Sequence, residues 1–352
     1  NKLNISYLCN SGAEANEAAI KASYRYHHGK RKTILHSNNS FHGKLIATGS
    51  ISSPLKNSKF PNVLKKLEFK VNDFKAFEKI EKKNKLKCDI FALIIEPYSA
   101  STTTPVKEKF LKKLVSFCKK NKIILIFDEI YTGWCKTGTT FYFQRYKNIY
   151  PDILTTSKSL GGGKASIAAC IMNNMIFNNV YGNINDATLH STTFNGFGEE
   201  CVTAIEALKI LKREKFNRKA KSIEKYINYK FNTLNSNHAS FNMKLKGVGG
   251  IQKIYFDLDK VTQQFTNQNS FKKKYQKLFH FRKRLFEIAL IDTLYFKYNI
   301  FAYHSLNSLV ISPSLIIKKK QIDYIFSSLS KILHSEPKDI IKNYLNRQSK
   351  IS

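Results

Sequence analysis

The chain has 352 residues, with 59 Lys and Arg against 25 Asp and Glu, a formal net charge of +34, and a hydrophobic fraction of 42% that includes 26 Phe. These proportions exclude a disordered chain and predict a packed globule long enough for more than one domain. No run of about 18 apolar residues occurs, so no membrane-spanning helix is expected, and the opening Asn1-Lys2-Leu3-Asn4-Ile5-Ser6 lacks the basic-then-apolar pattern of a secretion signal.

The positive charge is nearly all lysine and is spread along the chain. Runs such as Glu81 to Lys87 read as solvated helix faces. Only nonspecific, salt-sensitive adhesion to nucleic acid is therefore expected. The cysteines at 9, 88, 118, 135, 170 and 201 show no paired metal-ligand spacing, and a reducing cytoplasmic setting is the simpler reading.

In chain order, Ser6 to Cys9 reads as a short strand. It is followed by Asn10-Ser11-Gly12-Ala13-Glu14-Ala15-Asn16, the capped start of an alanine-rich helix. The free N–H groups at such a start can bind phosphate, and Ser11, Gly12 and Ala13 leave room for it, although an ordinary capped helix has the same pattern. Lys32 to His36 reads as a strand, and Ser40-Phe41-His42-Gly43 as a turn that presents an aromatic ring, either to a planar ligand or to the core. Ile123 to Phe127 suits a central parallel strand buried on both faces; it ends at Asp128, where open α/β sheets collect ligands. Pro151 to Thr156 reads as a strand leading into Ser157-Lys158-Ser159-Leu160 and three glycines. A lysine at that strand end can lose water, drop its pKa and form a Schiff base with an aldehyde such as pyridoxal phosphate (PLP), though Ser-Lys-Ser before glycines is by itself more often a solvated turn.

Farther on, Glu199 to Leu211 has helical apolar spacing, and an amphipathic helix follows to about Leu234. Gly247 to Ile251 is a tight turn before a strand at Ile254 to Phe256. Phe271 to Ile288 reads as a helix, Leu309 to Ile311 as a strand and Lys318 to Leu333 as a final helix.

Asn-Ser-Gly-Ala-Glu-Ala, Phe-His-Gly, Ile95-Glu96-Pro97, Asp128-Glu129-Ile130 with Thr132-Gly133, Ser-Lys-Ser-Leu-Gly-Gly-Gly, and His190-Ser191-Thr192-Thr193-Phe194 occur in one order along the chain. Together they resemble the class III PLP-dependent aminotransferases, the group of ornithine, acetylornithine, putrescine and ω-amino transaminases. The resemblance implies an α/β fold of type I: a large domain with a mostly parallel central sheet over residues 1–215, a smaller α+β domain over 216–335, and a tail over 336–352.

The resemblance also implies roles. Lys158 corresponds to the Schiff-base lysine, which also moves the substrate proton. Asp128 corresponds to the partner of the pyridine nitrogen. Ser11, Gly12 and Ala13 form the phosphate turn, Phe41 stacks on one face of the cofactor and Ile130 lies against the other. His42 and Glu96 join the cofactor-binding set. Thr193, with Thr192 beside it, corresponds to a hydroxyl that reaches the phosphate of a neighbouring subunit, which implies a homodimer with a shared site. The reaction implied is transfer of an amino group from an amine or amino acid to a carbonyl acceptor.

Three positions depart from the family pattern. Ser101 stands where a second Glu often follows Glu-Pro, Val310 stands where an arginine precedes a Pro-Pro-Leu motif, and Tyr131 replaces a common Gln. Without that arginine, the usual planar grip on an α-carboxylate is not expected. The chain also begins almost at the Asn-Ser-Gly turn, without the N-terminal segment usual in the family, as a fragment or degenerate copy would. Two alternatives stay open: another PLP reaction such as an aminomutase, and an inactive truncated member that acts as a basic binding protein.

Overall fold

Unbroken apolar runs become strands buried on both faces, and in the computed structural model they build the larger of two sheets. The structure describes residues 3–53, 61–99, 101–257, 284–305 and 308–348. The chain forms two units, Asn1–Asn217 and Arg218–Ser352.

The first unit contains, in order, β1 (Leu3–Cys9), α1 (Gly12–Tyr26), β2 (Thr33–Ser37), α2 (Ile46–Ser50), β3 (Lys65–Phe69), α3 (Phe74–Lys87) and β4 (Ile90–Ile95). A two-residue hairpin follows, β5 (Tyr98–Ser99) and β6 (Thr104–Pro105), and then α4 (Glu108–Asn121), β7 (Ile124–Asp128), β8 (Ile153–Thr156), β9 (Ala168–Asn173), α5 (Asn174–Tyr181) and α6 (Gly198–Arg213). Seven strands pair in the order β1-β9-β8-β7-β4-β2-β3. β8, β7, β4, β2 and β3 run parallel, while β9 is antiparallel to both of its neighbours. This is the mostly parallel α/β sheet that the family resemblance implies.

Alternation along the strands supplies both faces. Ile94, Ile124 and Ile126 pack with Ala18, Ala19 and Ala22 of α1 on one side. Leu93, Ile95, Leu125 and Phe127 pack with Phe110, Leu111 and Leu114 of α4 on the other. Alanines at helical spacing let α1 lie close to the sheet, so its first turn comes near the carboxyl ends of the parallel strands.

Glu129, immediately after β7, is fully buried. Its carboxylate accepts hydrogen bonds from the Thr132 hydroxyl, from the Tyr142 N–H at 2.9 Å and from the Phe143 N–H at 2.8 Å. It thereby closes the segment from 129 to 143, which contains Trp134, Cys135 and Gly138 in left-handed backbone conformations. Burial pushes the Glu129 carboxyl up from 4.5 to about 7, despite those three donors.

The second unit holds most of α7 (Phe216–Asn237), then β10 (Met243–Val248), β11 (Ile251–Phe256), α8 (Leu285–Tyr298), β12 (Tyr303–His304), β13 (Ser308–Ile311), α9 (Lys319–Leu333) and α10 (Pro337–Gln348). Its four-stranded antiparallel sheet has the order β10-β11-β13-β12. The helix expected over Phe271 to Ile288 is described only from Leu285 onward; residues 271–283 lie outside the described residues. Residues 336–352, expected as a tail, instead carry α10. Ile340, Ile341, Tyr344 and Leu345 recur one turn apart and join the core of this unit, because apolar residues at that spacing form one buried face.

The raised carboxyl of Glu129 makes the first unit sensitive to pH. The folded state favours the neutral acid, so this stabilisation is fully present below the unfolded value near 4.5 and is lost as pH rises through about 7. Chemical denaturation across that window should show the wild-type chain losing on the order of 3 kcal/mol relative to Glu129→Gln. Parallel pH profiles for the two proteins would contradict the assignment.

Candidate active site

At the carboxyl edge of the parallel strands, β7 ends in Asp128 and β8 ends just before Lys158. The two strands are in register, with Asp128 opposite Thr155. Asp128 is 4% exposed, so its carboxylate must be met by donors. The Asn16 Nδ2 donates to Oδ2 at 2.7 Å, the His42 Nδ1 lies 2.8 Å from the same oxygen, and the Ile130 N–H donates to Oδ1 at 3.0 Å. His42 is itself buried, and its Nε2 meets no partner among the described residues.

Lys158 opens a short 3-10 turn and has φ +45°, a left-handed conformation that a side-chain-bearing residue adopts at a cost. Solvent reaches the residue, yet protein surrounds its amine on most sides. Desolvation therefore lowers the Lys158 pKa, and the negative charges of Asp128 and Glu96 partly restore it. The amine also lies over the ring of Tyr131, 5.0 Å from its centroid. Tyr131 thus meets Lys158 through its aromatic face.

The Phe41–Gly43 turn is held through its backbone at several points, among them the His42 N–H, which donates to the Ser52 hydroxyl at 2.8 Å. The Phe41 N–H donates to Glu96 Oε2 at 3.2 Å. Gly43 has φ +132°, and a Cβ there would lie 2.7 Å from the Ala13 Cβ, so only glycine lets the turn approach the start of α1. Phe41 is 36% exposed as a residue, so it is not sealed in the core.

Ser11 caps α1. Its hydroxyl accepts from the Glu14 N–H at 3.3 Å, while Glu14 Oε2 accepts from the Ser11 N–H at 2.6 Å and the Asn10 N–H at 3.0 Å. The helix start therefore offers the N–H groups of Gly12 and Ala13, for which no acceptor is found among the described residues, with the Glu14 carboxylate beside them. A Cβ on Gly12 would fall 2.8 Å from Ile130 side-chain atoms. That close approach joins the helix start to the residue expected against the cofactor face.

Of the residues singled out in the sequence, Gly12, Ala13, Phe41, His42, Glu96, Asp128, Ile130, Tyr131 and Lys158 are linked through these contacts, and Ser11 caps the same helix. Thr192 and Thr193 stand apart from them. Thr193 is exposed, and the Thr192 hydroxyl meets no partner among the described residues. Their segment is tied to the start of α1 by Asn10, whose side chain donates to the Phe194 carbonyl at 3.3 Å. Two site residues escaped the sequence reading, Asn16 and Thr155, whose hydroxyl donates to Asn16 Oδ1 at 2.7 Å. An amide at helical spacing among Ala15, Ala18 and Ala19 was the available signal for the first.

Comparison with known proteins places these features in a family. The family model for class-III aminotransferases matches residues 3–333. Acetylornithine aminotransferase of Prochlorococcus marinus subsp. pastoris is 33% identical over 259 residues, covering 70% of this chain and 60% of that protein. Adenosylmethionine-8-amino-7-oxononanoate aminotransferase of Buchnera aphidicola subsp. Schizaphis graminum is 31% identical, covering 64% of this chain and 56% of that protein. The chain thus spans about 60% of the length of the relatives it matches.

Among solved structures, ornithine aminotransferase of Toxoplasma gondii, whose crystals hold PLP at partial occupancy in the active site, superposes with a TM-score of 0.73 at 22% identity, over 99% of this chain and 74% of that one. A transaminase from the marine bacterium Virgibacillus gives 0.76 at 18% identity, over 98% of this chain and 76% of that one. The order of motifs, the mostly parallel sheet and the match over nearly the whole chain make this protein a member of the class-III aminotransferase family.

Proposed function

We propose that the chain is a PLP-dependent aminotransferase subunit in which Lys158 holds the cofactor and moves the substrate proton. The observation that carries the reading is a partly desolvated lysine, with Asp128 and Glu96 as its charged neighbours, at the strand edge beside a buried carboxylate. The residues fit the group. The Gly12 and Ala13 N–H groups at the positive end of α1 suit its phosphate, although Glu14 opposes the negative charge there. Phe41 and Ile130 supply an aromatic and an apolar face, and Asp128 supplies an acceptor for a protonated ring nitrogen. When bound, PLP supplies the electron sink that stabilises negative charge on the substrate carbon.

The chain's own groups do the rest. A lowered pKa leaves more of the Lys158 amine neutral at a given pH, as a nucleophile and as a base at Nζ. Asp128, held by three donors, keeps its acceptor direction fixed. Glu96 ties down the turn that carries Phe41 and contributes negative charge near Lys158.

Assembly as a homodimer belongs to the same reading. Phe194, Phe197, Val202 and Ile205, which follow Thr192 and Thr193 on the chain, expose 61%, 47%, 67% and 53% of their surface. That clustering in sequence supports a second copy as their cover. No helix among the described residues is long and apolar enough to cross a membrane, and the six cysteines are unpaired.

Substrate choice follows from the departures. Val310 is 4% exposed in the centre of β13, paired with Lys253 and Tyr303. A buried aliphatic strand residue cannot grip a carboxylate. We therefore read the amino donor as one that is not held by an arginine on an α-carboxylate, such as a diamine or another ω-amine.

Treatment with PLP and borohydride, followed by peptide mass spectrometry, should place one dominant pyridoxyl label on Lys158 and lose it in Lys158→Ala. Label scattered over surface lysines with none on Lys158 would overturn the assignment. In amine-donor assays, ω-amines should exceed free glutamate by about tenfold or more in kcat/KM, the scale of one lost charge-assisted contact. Efficient turnover of glutamate would contradict the donor reading.

A further inference from the structure

Asn16 is 0% exposed, on a face of α1 where alanine is the rule, and it is one of the three donors that meet Asp128. Burying an amide without partners is costly, and here the partners are specific. Nδ2 donates to the His42 carbonyl at 2.8 Å and to Asp128 Oδ2 at 2.7 Å. Both of those oxygens can only accept, so the NH2 end must face them. Oδ1 must then face the Thr155 hydroxyl, 2.7 Å away. Thr155 sits opposite Asp128 on the neighbouring strand and is itself fully buried. The orientation of the amide is therefore determined from both ends.

The consequence falls on the two oxygens of Asp128. Asn16 and His42 both meet Oδ2, whereas among the described residues Oδ1 receives only the Ile130 N–H. Oδ1 is left with the greater remaining acceptor capacity. Asn16 also lies one turn beyond Gly12 on α1, so the candidate phosphate turn and the group that orients the carboxylate belong to one rigid element.

We propose that Asn16, locked by Thr155, is a positioning residue that sets the rotation of the Asp128 carboxylate and reserves Oδ1 for the ring nitrogen of bound PLP. This rests on the cofactor reading given above. Asn16→Asp preserves the shape but sets a second carboxylate against Asp128, so a proton must be shared or the charges repel. Thr155→Val preserves the fold-determining shape, touches neither Asp128 nor His42 through a hydrogen bond, and only releases the lock.

The test uses the purified chain with PLP and follows the pH midpoint of the bound cofactor's visible absorbance, its dissociation constant and the borohydride label on Lys158. Asn16→Asp should raise the midpoint by about one pH unit or more and weaken PLP by about tenfold or more. Thr155→Val should shift the midpoint in the same direction by less, with far-ultraviolet circular dichroism unchanged, and it decides the matter if Asn16→Asp does not fold. A labelled Lys158 with the wild-type midpoint and affinity in the variants overturns the role of Asn16 and leaves the cofactor reading standing. Absence of label in the wild-type chain removes that reading and this proposal with it.

Discussion

A carboxylate at the end of a buried parallel strand is the constraint on which the site depends. Asp128 is almost withdrawn from water, so donors have to be brought to it from elsewhere in the first unit. Asn16 arrives from α1, His42 from the turn after β2, and the Ile130 N–H from the backbone just beyond the strand. Satisfying one buried charge thus draws together the helix start, the aromatic turn and the strand edge. Lys158 then enters that assembled edge from the adjacent strand, where its amine is partly desolvated and balanced by two carboxylates.

Much of this was legible in the sequence, because the informative residues stand where the chain changes direction. Asp128 closes an apolar run, Lys158 precedes glycines, and Phe41-His42-Gly43 interrupts a stretch between strands. In each case a polar or aromatic residue at an element boundary is chemically out of keeping with simple packing. The roles of Gly12 and Gly43 were less visible. They depend on Ile130 and Ala13 arriving within van der Waals contact, which only the folded chain shows.

Asn16 and Thr155 were missed for a related reason. Each looks like a tolerated polar residue in an otherwise apolar element, and only the pairing of β7 with β8 and the packing of α1 bring them together. The helix Pro337–Gln348 was missed differently: Ile340, Ile341, Tyr344 and Leu345 carry a readable period, but Lys and Asn between them lower the average hydropathy to that of a tail. Lysine bias obscured pattern there without changing it.

The central claim is that the Asp128-centred group is a cofactor site, and calorimetric titration of PLP into the wild-type chain and into Asp128→Asn tests it most directly. The account predicts one tight site per chain that weakens by about tenfold or more in the variant, since a charge-assisted contact is lost without change of shape. Equal affinity in the two proteins, or only weak multiple binding in both, would contradict it.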